Sequence, residues 1–181
     1  MEWYRKAAEQ GHVRAQLNLG MIYEIGMFDI RHNNSIAVEW YRKAAKQGDA
    51  DAKNKLAKMY ENGRGVDEKN NSTALIWYRE AAKQGHAGAQ LNLGMMYENG
   101  KGVDQNNSTA VELYRKAAEQ GYDDAQNNLG MMYENGWGVN KNNSTAVEWY
   151  RKAEQGHGNA QHNLNRLTRT EILIDSDPNL N

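Results

Sequence analysis

A glycine recurs at Gly11, Gly48, Gly85, Gly121 and Gly156, with spacings of 37, 37, 36 and 35 residues, and the residues between these glycines repeat as well. The clearest copy is the stretch 85–121, GHAGAQLNLGMMYENGKGVDQNNSTAVELYRKAAEQG. Self-similarity at such a period is the signature of a solenoid, in which each unit buries its apolar face only against its neighbours. At 181 residues the length alone suggests one domain or slightly more. The repeat replaces that expectation with a row of interfaces and no central core.

Each copy reads as two helices and two turns. In the stretch 85–121, Ala89, Leu93 and Tyr97 fall at i, i+4 and i+8, one stripe of a helix over about 86–98. Gly94 lies inside that helix, where glycine costs about 1 kcal/mol against alanine. Its recurrence at Gly20 and Gly130 implies a gain, the close approach of a neighbouring helix. Asn99-Gly100-Lys101-Gly102-Val103 ends the helix, since glycine accepts the left-handed backbone of a C-terminal cap. Asn106-Asn107-Ser108-Thr109 opens a second helix with side chains that cap free backbone N–H groups, and Ala110, Leu113, Tyr114, Ala117 and Ala118 form its stripe. The same pattern predicts helices at about 12–24, 34–47, 49–61, 71–84, 122–134, 143–155 and 157–168.

The copies divide the chain into a partial repeat of one helix (1–11), four full repeats (12–48, 49–85, 86–121 and 122–156), a capping helix (157–169) and a tail (170–181) expected to be disordered. Met1-Glu2-Trp3-Tyr4 aligns with Val38-Glu39-Trp40-Tyr41, so the chain begins inside a unit, as a piece of a longer protein would. The first full copy has a more apolar turn, Gly26-Met27-Phe28-Asp29-Ile30, and the second has Ala57 in place of the mid-helix glycine. The last helix carries Asn165 at the glycine position and Thr168 at the tyrosine position, which suits a cap better than another stackable unit.

Ala89, Leu93, Gly94, Tyr97, Gly100, Gly102, Val103, Ala110, Tyr114, Ala117, Ala118 and Gly121 together resemble the Sel1-like repeat family, with Leu113 where tryptophan is usual. Tetratricopeptide repeats share the Leu-Gly-x-x-Tyr of the first helix but run 34 residues; the extra residues here sit in the Gly-x-Gly-Val turn. The resemblance implies an all-α fold, a right-handed α-solenoid of stacked antiparallel helix pairs, acting as an adaptor for other proteins. A cysteine-rich bacterial branch of the family is β-lactamase-like. This chain has no cysteine and no Ser-x-x-Lys, so that activity does not carry over.

Composition narrows the partners. A net charge of −1, from 22 basic and 23 acidic residues, argues against the broad basic surface of a nucleic-acid binder or a polybasic membrane protein. No run approaches the ~20 apolar residues that span a bilayer, and no signal-peptide core opens the chain. The compartment stays open. Without cysteine there is neither a disulfide framework nor a thiolate metal site.

No catalytic motif emerges, and neither a cofactor nor a metal is expected. His12, His86 and His157 share one repeat position and are held far apart, while His157 and His162, five residues apart, do not share a helical face. The Gly94–Gly102 stretch only loosely resembles a phosphate loop: it has five residues between the glycines, a glycine after the lysine, and a helix before it. Asn33, Asn70, Asn71, Asn106, Asn107, Asn142 and Asn143 head Asn-x-Ser/Thr sequons, but helix capping explains their recurrence without sugars.

The remaining signal lies on the first helix of each pair. With the Ala-Leu-Gly-Tyr stripe buried, ~100° per residue places Arg14, Leu17, Met21 and Glu24 on the opposite face, and by likeness to tetratricopeptide repeats that face lines a concave groove. Equivalent sets are Asp51, Asn54, Lys58 and Glu61; Gly88, Leu91, Met95 and Glu98; and Asp124, Asn127, Met131 and Glu134. Arg14, Leu17, Met21, Asn54, Lys58, Leu91, Met95, Asn127 and Met131 are therefore the expected contacts for a protein or peptide, with the glutamates as a rim that would favour a ligand carrying basic residues and Trp137 as a loop anchor. The competing account packs these side chains sideways on the next helix of the same kind. Two other functions fit less of the pattern: a spacer that self-associates through Trp3, Tyr4 and Ala7 of the incomplete first repeat, and a glycan-processing enzyme with paired acids such as Glu98 and Glu134.

Overall fold

The computed structural model describes residues 2–27, 30–154, 156 and 158–176, the last eight by their backbone. Ten α-helices and no strand occur among them: α1 (Glu2–Glu9), α2 (Val13–Ile25), α3 (Asn34–Lys46), α4 (Ala50–Asn62), α5 (Asn71–Lys83), α6 (Ala87–Asn99), α7 (Asn107–Glu119), α8 (Asp123–Asn135), α9 (Asn143–Ala153) and α10 (Gly158–Ser176). Each helix packs chiefly on the one before and the one after it, giving an all-α repeat solenoid. We call α2, α4, α6, α8 and α10 the A helices and α1, α3, α5, α7 and α9 the B helices. Helix α10 continues through Ser176, past residue 170 where the tail was expected to begin. Pro178, Phe28, Asp29 and His157, singled out in the sequence, lie outside the described residues.

The apolar stripes make a chain of small cores. One cluster joins Leu17 of α2, Val38, Tyr41 and Ala44 of α3, and Ala52, Leu56 and Met59 of α4. The next pairs Ala57 with Tyr78 and Leu93, and another sets Leu91 among Tyr114, Ala125 and Leu129. Each core thus borrows from three successive helices, so stability is shared between neighbours.

The mid-helix glycine admits a ring, not a helix. An added Cβ at Gly94 would stand 2.6 Å from the Tyr114 ring, and Gly20 and Gly130 meet Tyr41 and Tyr150 at the same distance. Tyr41, Tyr78, Tyr114 and Tyr150 are all 0% exposed, so every B helix of a full repeat seats one tyrosine on its own A helix. In the second repeat Ala57 takes the glycine's place and is itself 0% exposed, so there the ring accommodates a methyl group.

Polar pairs tie unit to unit. Arg5, Arg42, Arg79 and Arg115 of successive B helices donate to the hydroxyls of Tyr23, Tyr60, Tyr97 and Tyr133 on the following A helices, at 3.4, 2.9, 2.6 and 2.9 Å. At the last junction Thr168 stands at the tyrosine position and bonds the Leu164 carbonyl of its own helix instead. Gln16 and Gln126 donate to the carbonyls of Ala8 and Ala118, closing the preceding B helix, and Gln47 and Gln120 donate in turn to Gln16 and Gln90 (2.8 Å each).

The capping asparagines behave as expected. Asn33, Asn70, Asn106 and Asn142 accept the backbone N–H of Ile36, Thr73, Thr109 and Thr145 at 2.8–3.0 Å. Asn106→Ala is expected to cost about 1 kcal/mol in chemical denaturation, with the helical signal of the folded protein unchanged.

Candidate binding groove

The A-helix face is only partly open. Between α2 and α4 lies a groove of ≈ 490 Å³ lined by Arg14, Leu17, Asn18, Met21, Asp51, Asn54, Lys55 and His86. A larger hollow, ≈ 720 Å³, lies over the glycine turn between α8 and α9, walled by Tyr133, Val139 and the turn residues. The first is the better candidate, because charged, amide and thioether side chains converge on it from α2, α4 and the start of α6.

Leu17, Leu91 and Asn127 are not free contacts. Leu17 is 3% exposed and Leu91 6%, each wedged against the next A helix and the B helix between, and Asn127 is 4% exposed. Asn127 accepts from the Asn163 amide at 3.1 Å and donates to the Met131 sulfur. Asn54 accepts in the same way from Asn92 at 3.0 Å, so amides link A helices sideways along this face. Met21 and Met131 are half-buried and pack on the inter-repeat cores. Arg14, Lys58 and Met95 stand exposed. Trp137 is exposed on its turn.

The glutamate rim is turned inward. Tyr41 donates to Glu24 at 2.5 Å, Tyr78 to Glu61 at 2.8 Å and Tyr150 to Glu134 at 2.7 Å, and Tyr114 donates likewise to Glu98. Cations complete the arrangement: Lys55 and Arg64 on Glu24, Lys101 on Glu61, and Arg166 on Glu134 at 2.5 Å. The expectation that these carboxylates await a basic ligand is therefore corrected: each already accepts a buried tyrosine hydroxyl of its own chain. Burial acts to raise the Glu24 pKa, but the Tyr41 hydroxyl and the charges of Lys55 and Arg64 outweigh it and hold the carboxyl below its ordinary value. Burial pushes all four tyrosine hydroxyls far up, and the neighbouring carboxylate adds to the effect.

His86 does a local job. Its Nδ1 accepts the N–H of Ala89 as the N-cap of α6, which leaves Nε2 to carry the proton and donate to Asp51 at 3.0 Å. Asp51 also takes Arg14 at 3.1 Å, forming a polar bridge across the groove mouth. No three His, Cys, Asp or Glu side chains among the described residues are placed to hold a metal.

Stacked helix pairs joined by glycine turns define the class of helical-repeat solenoids. The family model described as Sel1 repeat matches residues 1–12, 13–49, 50–86, 87–122 and 123–156, and the chain belongs to that family. Among solved structures it is similar to a protective antigen of uropathogenic Escherichia coli displaying an SLR fold: 39% identity, TM-score 0.86, over 91% of this chain and 35% of that one. A Sel1 repeat protein from Oxalobacter formigenes is 40% identical, with TM-score 0.84, over 90% of this chain and 64% of that one. The cysteine-rich protein B of Helicobacter pylori is 26% identical, with TM-score 0.56, over 70% and 90%. The chain thus spans about a third of the first relative and just under two thirds of the second. No curated protein sequence matches it. Sel1 repeat proteins generally serve as protein–protein interaction scaffolds and are typically non-catalytic. No helix among the described residues is long and apolar enough to cross a membrane.

Proposed function

We propose that this chain is a non-catalytic scaffold that grips a protein or peptide along its A helices, at the groove between α2 and α4 and the exposed side chains beyond it. The groove carries the reading: Arg14, Leu17, Met21 and Asn54 all line it, with Leu17 as floor and Arg14 at the rim. Lys58 and Met95 extend the surface to the next units. Because the glutamates are already engaged by tyrosines of their own chain, the ligand need not be basic; polar groups that bond to Asn18, Asn54 and Arg14 around an apolar side chain on Met21 suit the site. The same inward contacts weigh against a paired-acid enzyme, since Glu98 and Glu134 are already engaged by Tyr114, Tyr150 and Arg166.

The test uses exposed positions, because a charge at Leu91 would enter a core. Lys58→Glu with Met95→Glu is expected to reduce capture of the bound partner by about tenfold or more, with helical content and melting temperature unchanged. Capture equal to that of the parent chain sinks this face as the binding surface.

A further inference from the structure

The B helices carry a gap in their own pattern, in the middle of the solenoid. Trp40 of α3, Trp77 of α5 and Trp149 of α9 are half-buried, and each packs on the core of the preceding unit. Leu113 of α7 holds the equivalent place, on the core shared by α4, α5 and α6. Leucine is the shorter side chain, and the floor around it stays partly uncovered. In the cores that receive a tryptophan, Ala8, Ala45 and Ala118 are at most 2% exposed; the equivalent Ala82 is half-buried. Leu19, Leu56 and Leu129 are 0% exposed there, and the equivalent Leu93 is 5%. A notch of ≈ 280 Å³ opens at this point between α5 and α7, with Ala82, Leu93 and Leu113 as its apolar lining.

Charge at the mouth narrows what fits. Arg79 and Lys83 stand on the α5 wall and Lys116 on the α7 wall, against a single carboxylate in the lining, Glu112. In two other units the lysine three residues after the tryptophan lies over its ring: Lys43 over Trp40 and Lys152 over Trp149, both 3.9 Å from the ring centre. Lys116 follows Leu113 at the same interval, is exposed, and has no indole at that place to cover. A cation is thus positioned for an aromatic face that the chain itself does not supply, and tryptophan offers a cation the strongest such face.

We propose that the notch between α5 and α7 takes the tryptophan side chain of an acidic segment of a partner protein. The indole would lie where Trp40, Trp77 and Trp149 lie at the other junctions, on Ala82 and Leu93, with the Lys116 ammonium over its face. Carboxylates flanking it in the partner would answer Arg79 and Lys83. Buried aromatic anchors of this kind carry a large share of binding energy in protein interfaces. The notch shares no residue with the groove between α2 and α4, so either site can fail alone.

The probe is an acetylated and amidated Glu-Glu-Trp-Glu-Glu peptide, titrated into the isotope-labelled whole chain while its amide resonances are followed. Saturable shifts are expected at Ala82, Leu93, Leu113 and Lys116, and none with Glu-Glu-Ala-Glu-Glu. Lys83→Glu and Lys116→Glu should each weaken binding by about tenfold. Leu113→Trp supplies the missing indole from within: it should abolish binding and raise the melting temperature by about 2–4 °C. Absence of saturable binding, equal binding of the alanine peptide, or binding that survives Leu113→Trp overturns the proposal. A Leu113→Trp chain no more stable than the parent overturns it too, since the notch would then not be shaped for an indole. Shifts centred on Arg14 and Asn54 would move the peptide to the α2–α4 groove and sink this site alone. Concentration-dependent dimerisation abolished by Leu113→Trp would seat a second copy in the notch, which also rules out the partner proposed.

Discussion

Gly65→Ala should destabilise the solenoid by about 3–5 kcal/mol, whereas Gly48→Ala should cost only about 1 kcal/mol. Both glycines hold left-handed backbone, φ +70 and +99, so conformational strain alone does not separate them. Space does. A Cβ on Gly65 would stand 2.3 Å from the backbone C and O of Asn34 and 2.7 Å from the Ser35 nitrogen, while around Gly48 nothing lies within 4 Å. Backbone atoms cannot rotate aside as a side chain can, so the turn after α4 must lift off the first residues of α3. The same contact recurs where Gly102 meets Asn71 and Gly138 meets Asn107, making it a standard joint between units. Breaking one joint in a row of neighbour-to-neighbour interfaces uncouples the two sides. Gly65→Ala should therefore also split a single unfolding transition into two, read by circular dichroism against denaturant. Equal losses for the two variants would show that strain, and not the joint, sets the cost.

What the sequence made legible was whatever repeats at helical spacing. Ala89, Leu93 and Tyr97 announced a buried stripe, and the asparagines of Asn106-Asn107 announced a cap, because both signals are local. The helix ends followed to within a residue or two, except at α10, which runs through Ser176 instead of ending near residue 168. Leu17 and Leu91 went astray for a physical reason. Projecting an A helix at ~100° per residue assumes one buried face, but in a solenoid its flanks are covered too. Leucine at that place is apolar for the ordinary reason that it is buried against α4 or α8.

Glu24, Glu61, Glu98 and Glu134 show a signal that was present and assigned to the wrong cause. A residue that stays the same in every copy serves what every copy shares, which is the scaffold. Its partner, a tyrosine sixteen or seventeen residues on, becomes visible only when the B helix folds back. The glutamines at 16, 90 and 126 carried the same message, and recurrence alone could have marked them as structural. The groove between α2 and α4 was half legible. Arg14, Met21 and Asn54 were named from the face they occupy, but Asn18, Lys55 and His86 enter it from a neighbouring register or another unit.

Above about pH 10 the protein should unfold cooperatively, with stability falling by about 5 kcal/mol per pH unit. The four tyrosines that seat the B helices are fully buried, and each donates its hydroxyl to a carboxylate. Burial first, and the adjacent negative charge second, disfavour the phenolate and raise all four pKa values. A raised folded pKa means the native state keeps protons that the unfolded chain, titrating near 10, gives up. The contribution is complete below pH 10 and is lost as pH climbs above it; four protons at about 1.4 kcal/mol each give the slope. Against a typical stability of about 5–15 kcal/mol, unfolding should be complete by about pH 11–13. The acid side has the opposite sign and less leverage: Glu24, with its pKa lowered, contributes above the ordinary carboxylate range and loses that contribution as pH falls through its folded value. The check is to follow tyrosinate absorbance and helical ellipticity together through an alkaline titration. The buried group of tyrosines should ionise only as the helices melt, and Tyr78→Phe should shallow the slope by about a quarter while costing about 1 kcal/mol at neutral pH. If all ten tyrosines of the chain ionise near pH 10 with helicity intact, the tyrosine–glutamate seats do not hold the repeats together.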